Sequence, residues 1–375
     1  MNFLPEDWQD ALLLGRLDLG EGPTPVLIVK GEVLDVSRIA PTVSDFLNGW
    51  TGKVPAGRSL GALEDLNLKP QWEGDKRLLS PTDLQCIKAA GVTFAVSAVE
   101  RVIEERCRGD ADKALEIRAS LKERVGSDIR SVKPGSPEAM KLKDTLIADG
   151  MWSQYLEVAI GPDAEVFTKC PPLASVGWGA EIGIRSDSTW NNPEPEVAIV
   201  CDGKGREVGA TLGNDVNLRD FEGRSALLLG KAKDNNASTS LGPFIRLFDD
   251  GFTMDHVRQA VIDLVIEGTD NYRLEGRSTM AEISRDPTEL CRQTLSEHQY
   301  PDGFCLFLGT LFAPTQDRDE PGRGFTHKVG DMVRVSTPRL GALENRVTTS
   351  KAAPPWTFGI GALMGNLAKR GLLAS

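Results

Sequence analysis

Residues 193–215 have the sequence PEPEVAIVCDGKGREVGATLGND. Two runs rich in valine, isoleucine and alanine flank the segment Asp202–Gly205, whose composition (DGKG) is typical of a tight turn. The stretch therefore predicts a β-hairpin. Because side chains alternate along a strand, Glu194 and Glu196 are expected to point to the same face of that hairpin.

The pairing of the two strands decides whether a third carboxylate joins the glutamates. A two-residue tip places Glu194 opposite Gly213, and Asp215 then lies diagonal to Glu194 on the face of Glu196. Three carboxylates would converge on one point. A loop one residue longer or shorter would reverse the parity and move Asp215 to the opposite face.

Three carboxylates at such short distances repel one another unless a cation neutralises them. Six scattered cysteines without a CxxC pair, and only three widely spaced histidines, argue against a zinc site. Carboxylate oxygens suit a hard ion such as Mg²⁺, Mn²⁺ or Ca²⁺. The same alternation of glutamates is also typical of a solvated strand face, and the pattern alone leaves both interpretations open.

The chain has 375 residues, with 43 basic and 54 acidic side chains and a net charge of -11. At roughly 150 residues per domain, this length predicts two domains. The acidic balance argues against binding to nucleic acid or to an anionic membrane surface, and no apolar run is long enough to span a membrane. Because residues 1–7 lack the basic start and apolar core of a signal peptide, we expect a cytoplasmic location.

Residues 1–78 contain short β-patterns and turns and predict a small mostly-β N-terminal domain. Residues 79–375 combine β-runs with helical patterns and form the second predicted domain. Cap residues and apolar periodicity predict helices from Ser80 to about Arg106, from Asp110 to Val125, from Ser136 onward and from Met254 to Glu267.

Several motifs together resemble the signature of the fumarylacetoacetate hydrolase superfamily. They occur in the order of the family over roughly residues 85–345. The motifs are PEPE (Pro193–Glu196), GNDVNLRD (Gly213–Asp220), GKAKD (Gly230–Asp234), LGP (Leu241–Pro243) and GDMVRVSTP (Gly330–Pro338).

This resemblance implies an α+β fold, a mixed β-roll with surrounding helices. It also implies that Glu194, Glu196 and Asp215 hold a divalent metal, usually Mg²⁺, with Mn²⁺ as a possible substitute. Dimers are common in the family, so we expect a homodimer or a higher homo-oligomer.

Within the superfamily, the strings GIRSDSTWN (183–191) and GKAKDNNAS (230–238) most resemble the 2-keto-3-deoxy sugar acid dehydratases. Carbon–carbon hydrolases of the family carry a segment Asn-Tyr-x-x-His whose histidine activates water. The corresponding stretch here is Gly91–Ser97, with Ser97 at the place of the histidine, where we expect it to bind the substrate. A serine without a base does not deprotonate water at useful rates, so hydrolysis by the usual dyad is disfavoured.

The resemblance also suggests roles for five other residues. Lys233 is expected to be the general base or a proton shuttle, with a pKa lowered by the cation and by burial. Thr337 is expected to bind the carboxylate of the substrate, and Arg185 and Ser186 its hydroxyls. Arg219 could bind the substrate carboxylate or pair with its neighbour in the chain.

Three functions remain open at this point. The first is a Mg²⁺-dependent dehydratase that removes water from a 2-keto-3-deoxy pentonate through a metal-stabilised enolate and yields 2,5-dioxopentanoate. The second is a hydrolase or decarboxylase of a β-diketo or acylpyruvate acid. The third is a non-catalytic keto-acid binding protein, which an exposed Lys233 remote from the metal would favour.

Overall fold

The computed structural model of this chain describes residues 2–108, 110, 113, 132–319 and 324–373. Within these ranges the strands form a large mixed sheet, a smaller mixed sheet and a two-stranded ribbon, and helices pack around them, which confirms the α+β class. The strands are β1 (Leu13–Asp18), β2 (Pro23–Val29), β3 (Glu32–Asp35), β4 (Arg58–Ala62), β5 (Arg77–Leu79), β6 (Cys86–Gly91), β7 (Glu165–Cys170), β8 (Glu181–Ile184), β9 (Asn191–Asn192), β10 (Pro195–Cys201), β11 (Glu207–Asp215), β12 (Asn217–Leu218), β13 (Thr239–Leu247), β14 (Val261–Glu267), β15 (Arg273–Thr279), β16 (Phe304–Phe307), β17 (Met332–Thr337) and β18 (Gly341–Thr349). The helices are α1 (Val43–Asn48), α2 (Ala95–Arg106), α3 (Pro137–Ala148), α4 (Gln154–Ile160), α5 (Arg219–Glu222), α6 (Leu229–Lys233), α7 (Met254–Arg258), α8 (Pro287–Leu295) and α9 (Ile360–Lys369).

The large sheet runs from the N-terminal segment to the acidic hairpin. Its order is β4-β3-β2-β1-β13-β11-β10-β16-β6-β7, and β5 pairs with the part of β1 that β13 leaves uncovered. Its pairings are antiparallel except for β6 with β16. The strands of residues 1–78 thus join the rest of the sheet through β1 and β13, and the domain boundary at residue 78 stays a prediction.

The smaller sheet, ordered β15-β14-β17-β18-β8, covers one face of the large one. Val197 of β10 and Leu264 of β14 belong to the apolar cluster between the two sheets. Ala198 points to the other face, where it shares a cluster with Phe46 of α1. Glu196 precedes Ala198 by two residues and therefore lies on that second face, away from the smaller sheet.

The β10–β11 hairpin forms with a register two residues away from the predicted one. Its loop holds three residues, Gly203–Gly205, and Gly205 adopts the left-handed conformation (φ +77°) that completes such a loop. A bulge near the loop end of β10 adds a second one-residue shift. Because the two shifts add to an even number of residues, Asp215 stays on the predicted face of the hairpin. It lies directly opposite Glu194, and its amide donates to the Glu194 carbonyl at 3.1 Å.

The predicted helix start at Ser136 is confirmed, because the Ser136 side chain caps α3. The one at Ser80 is wrong. The Asp83 carboxylate instead accepts hydrogen bonds from the backbone amides of Val43 and Ser44 at the start of α1. The residues that follow form β6 in the large sheet, and the helix begins only at α2.

Residues 254–267 divide into the short helix α7 and the strand β14. Ile262, Leu264 and Ile266 are buried at alternate positions of β14, so the apolar residues there follow the period of a strand. The helix predicted from Asp110 to Val125 lies outside the described residues, apart from positions 110 and 113. None of the described helices has the length and apolar character that crossing a bilayer requires.

Candidate metal centre

Three acidic side chains meet at the open end of the β10–β11 hairpin. The side chains of Glu194, Glu196 and Asp215 are buried, with 2%, 1% and 1% of their residue surface exposed. One oxygen of each lies within 4.8 Å of the other two. Octahedral Mg²⁺ holds oxygens at about 2.1 Å, which requires separations of roughly 3–4 Å. Oxygens within 4.8 Å of one another lie close to this range, so the trio fits a hard divalent cation.

Glu196 is the member of the trio that the protein neutralises least. The amide of Gly309 donates to one of its oxygens at 2.7 Å, and the hydroxyl of Thr310 lies 3.3 Å from the other. No lysine or arginine in the described part of the chain forms an ion pair with it. Burial and the charges of Asp215 and Glu194 raise the pKa of Glu196 well above its usual value. A bound cation would relieve this cost.

Lys233, at the end of α6, lies against the trio with 3% of its surface exposed. Its Nζ is 2.6 Å from Oε2 of Glu194 and 3.2 Å from Oδ2 of Asp215. Burial by itself would lower the pKa of Lys233, but the charges of Asp215, Glu194 and Glu222 outweigh burial and raise it. The nearest charges in this arrangement are carboxylates, whereas the predicted fall of this pKa supposes a neighbouring cation and stays a prediction.

Lys169 of β7 is a second buried lysine at the site, which the sequence patterns did not single out. Its Nζ lies 3.1 Å from Oδ1 of Asp215. The same ammonium donates to the backbone carbonyls of Lys233 and Ser238. Lys169 therefore fixes both the aspartate and the segment that carries Lys233.

Arg101 of α2 links the trio to the neighbouring helices. Its guanidinium is 2.6 Å from Oε1 of Glu194 and 2.7 Å from Glu104, and it also binds Glu222. Sequence analysis did not identify Arg101, although a signal was present. Ser97, Arg101 and Glu104 are four and three residues apart, the spacing that brings side chains to one face of a helix.

Glu222, at the end of α5, faces the cavity between Arg101 and Lys233. One of its oxygens binds Arg101, and the other lies 3.6 Å from Nζ of Lys233. Burial raises the pKa of Glu222 to about 7, with the charges of Arg101 and Lys233 opposing the rise and Glu194 adding to it. Glu222 follows the GNDVNLRD motif, but no sequence pattern there indicates that it belongs to the site.

A cavity of about 40 Å³ opens beside the trio and is also lined by Ser97, Tyr155 and Glu165. The Ser97 hydroxyl lies 3.0 Å from the carbonyl of Phe94 and 3.2 Å from that of Thr310, so it is held by backbone groups. Glu165, the first residue of β7, makes no ion pair with any described residue. Burial raises its pKa. A carboxylate in this position can accept a proton from a bound molecule.

Arg219 is buried behind the site. Its guanidinium donates to Asn192 at 2.7 Å and to the Pro314 carbonyl at 3.1 Å, and it lies 3.4 Å from Glu104. Neither predicted role is observed. Arg219 does not line the cavity, and its neighbour Asp220 binds Ser188 and Thr189 instead.

Three other predicted substrate residues do not line the cavity either. Arg185 is half-buried and pairs with Asp187 at 2.7 Å, and Ser186 is exposed. Thr337 ends β17 opposite Gly341, at the turn that packs against the backbone of Phe3. Because β17 and β18 are antiparallel, Thr337 lies at the opposite end of the small sheet from the terminus of β18, which pairs with β8 just before Arg185.

Two relatives carry dehydratase names. The "probable 2-keto-3-deoxyxylonate dehydratase" of Haloferax volcanii is 31% identical over 199 residues, which are 53% of this chain and 65% of the relative. The match thus spans slightly less than two thirds of that relative. The "2-dehydro-3-deoxy-D-arabinonate dehydratase" of Saccharolobus solfataricus is 27% identical over 248 residues, which are 63% of this chain and 80% of the relative.

The fold is shared with a solved 2-keto-3-deoxy-D-arabinonate dehydratase complexed with magnesium and 2,5-dioxopentanoate. The superposition has a TM-score of 0.62 at 22% identity and covers 90% of this chain and 99% of that structure. The family described as fumarylacetoacetate (FAA) hydrolase C-terminal matches residues 151–348. The motifs quoted above lie within this range, which confirms the resemblance, and the chain belongs to the fumarylacetoacetate hydrolase family.

Proposed function

We propose that this chain is a divalent-metal-dependent hydro-lyase that removes water from a 2-keto-3-deoxy sugar acid. The proposed substrate is a pentonate and the product 2,5-dioxopentanoate. The observation that carries the proposal is a buried lysine, Lys233, 2.6 Å from Glu194 in a carboxylate trio that fits a hard cation. The dehydratase names of the two relatives support the same reaction class.

Glu194, Glu196 and Asp215 would hold the ion, with Mg²⁺ proposed and Mn²⁺ as its substitute. Once bound, the ion would stabilise the negative charge that builds on the keto oxygen as the neighbouring carbon loses a proton. Arg101 and Lys169 keep two of the three carboxylates in place through their second oxygens. Such supporting contacts orient ligands and tune their affinity.

Two side chains at the cavity are suited to the two proton transfers. We assign Glu165 as the base that takes the proton from carbon 3, because its carboxylate lines the cavity and its pKa is raised. Lys233 carries its proton and is assigned as the acid that protonates the leaving hydroxyl on carbon 4. This replaces the role of base that the sequence suggested for Lys233. Elimination leaves a double bond between carbons 3 and 4 beside the hydroxyl on carbon 5. Loss of a proton from carbon 5 and gain of one at carbon 3 then give an enol, which tautomerises to the aldehyde.

The two alternative functions find less support. Hydrolysis by the usual dyad of the family needs a histidine to activate water, and none of the three histidines lines the cavity, where Ser97 occupies the predicted position. A binding protein without turnover would be favoured by an exposed Lys233, but this side chain is buried against Glu194. We therefore keep dehydration as the proposed reaction.

The test is incubation of the protein with racemic 2-keto-3-deoxy pentonate and Mg²⁺, followed by trapping with an aldehyde reagent and mass spectrometry. We expect a five-carbon product that is lighter than the substrate by one water, and no product when a chelator replaces Mg²⁺. Release of pyruvate instead would refute dehydration. Glu196→Gln serves as the matched inactive control.

A further inference from the structure

Lys233 and a divalent ion compete for the same oxygens. The Lys233 ammonium contacts Oε2 of Glu194 at 2.6 Å and Oδ2 of Asp215 at 3.2 Å. These are two of the three side chains that form the candidate metal centre. An ion bonded to both oxygens at about 2.1 Å would lie within a few ångströms of the ammonium, where like charges repel strongly in a buried site. Binding of the ion therefore requires Lys233 to move.

One acceptor is in position to receive the displaced ammonium. Oε1 of Glu222 lies 3.6 Å from Nζ of Lys233, and it accepts no hydrogen bond from the described residues. The other oxygen of Glu222 binds Arg101, so the carboxylate is already oriented. Arg101 also holds the second oxygen of Glu194, which keeps that ligand in place when Lys233 leaves.

We propose that Glu222 is a positioning residue that receives the Lys233 ammonium when a divalent ion binds, which frees Glu194 and Asp215 to bind the ion. This inference rests on the metal centre of the proposed function. Lys233 is then an internal competitor of the ion, and Glu222 lowers the cost of its displacement. The movement also brings the proton of Lys233 out of the trio, toward the part of the cavity that Glu222 lines.

The test is a double-mutant cycle on the affinity for Mn²⁺, measured by titration calorimetry and by the electron paramagnetic resonance signal of free Mn²⁺. The full chain is compared with Glu222→Gln, Lys233→Met and the double variant. We expect Glu222→Gln to weaken Mn²⁺ binding about tenfold or more when Lys233 is present, because the displaced ammonium loses its acceptor. In the Lys233→Met background the same substitution should cost less than about threefold, and Lys233→Met alone should tighten binding.

Glu104→Gln is the matched control, since it removes an equal charge from another partner of Arg101 that does not contact Lys233. We expect about the same small effect, under threefold, in both backgrounds. Equal losses for Glu222→Gln with and without Lys233 would overturn the inference. If Glu222→Gln does not fold, Glu222→Asp replaces it. It should weaken Mn²⁺ binding only when Lys233 is present, and equal effects in both backgrounds would again overturn the inference.

The same measurements separate this inference from the proposed function. If the unmodified chain does not bind Mn²⁺, the metal centre of the proposed function is itself refuted. If the unmodified chain binds Mn²⁺ but the effects of the Glu222 and Lys233 substitutions on affinity simply add, only the role of Glu222 is refuted.

Discussion

Asp331 and Glu196 are both buried carboxylates, with 0% and 1% of their surface exposed, but their surroundings differ. Arg318 donates to both oxygens of Asp331 at 2.6 and 2.7 Å, and the amide of Lys328 adds a third donor at 2.9 Å. Burial would raise the pKa of Asp331, but Arg318 and His327 lower it to about 2. Among the described residues, two neutral groups donate to Glu196, and its pKa is raised.

This difference in hydrogen-bond donors distinguishes a structural carboxylate, Asp331, from Glu196, a carboxylate suited to bind a ligand. Asp331 is held by a fork of charged hydrogen bonds that leaves no position for another cation. Glu196 forms no ion pair with a lysine or arginine of the described residues, and it lies beside a cavity with Glu194 and Asp215. Both lie in motifs of the family, so the motif alone does not distinguish these two uses of a carboxylate.

The largest expected effect comes from Glu196→Gln. The amide would keep an acceptor for Gly309, so we expect the fold to persist. Loss of one ligand charge should reduce kcat/KM roughly a thousandfold, because several kcal/mol of charge stabilisation disappear. Steady-state kinetics and thermal unfolding with and without Mg²⁺ would check this. Retained Mg²⁺-dependent turnover would exclude Glu196 as a ligand.

Asp331→Asn should give the reverse result. Removal of one partner breaks a buried ion pair and leaves Arg318 with Asp270, at 3.1 Å, as its remaining carboxylate among the described residues. We expect the loss to cost about 3 kcal/mol of the free energy of unfolding. Turnover per folded molecule should stay within a few-fold of the unmodified chain. Urea denaturation and active-site titration would measure both quantities. If the variant stays equally stable but loses activity, the assignment of Asp331 as structural is wrong.

The two kinds of carboxylate should also respond oppositely to pH when a chelator is present. Burial raises the pKa of Glu222 in the folded chain to about 7, compared with its ordinary pKa of 4.5 in the unfolded chain. The free energy of unfolding should therefore fall as the pH rises from 4.5 to about 7. The stability from Asp331 is present above pH 3.8 and lost toward about pH 2. We expect a decline of about 3 kcal/mol in the upper window. Denaturation at each pH should show a flatter profile for Glu222→Gln, and an unchanged slope would contradict the origin in Glu222.

The smallest expected effect is that of Thr337→Val. Thr337 does not line the cavity, so kcat and KM with the pentonate should change by less than about twofold. Saturation kinetics of the variant and the unmodified chain would measure both constants. A large rise in KM would instead support the predicted contact between Thr337 and the substrate carboxylate.

The hairpin shows what local patterns can and cannot predict. Alternation placed Glu194, Glu196 and Asp215 on one face, and the structure has them there. The predicted pairing was nevertheless wrong by two residues, because a three-residue loop and a bulge each shift it by one. The correct face survived only because two one-residue shifts together preserve the parity.

The remainder of the site depends on packing between distant segments. Lys233 was predicted from family spacing, whereas Arg101, Glu165 and Glu222 come from three different elements that no local motif connects. Arg219 donates to Asn192 in another segment, a contact that no local pattern indicates, and its role as a substrate residue stays a prediction. The predicted homodimer and cytoplasmic location stay predictions.

The continuity of the large sheet has a consequence for how the chain can be divided. β1 covers one edge of β13, and β13 pairs on its other side with β11, the strand that ends at Asp215. A fragment that began at residue 79 would leave that edge with unpaired backbone amides and carbonyls, one strand away from the acidic residues. Bare edges of this kind template aggregation. The N-terminal strands thus protect the scaffold of the site from self-association, even though none of them contributes a side chain to its cavity.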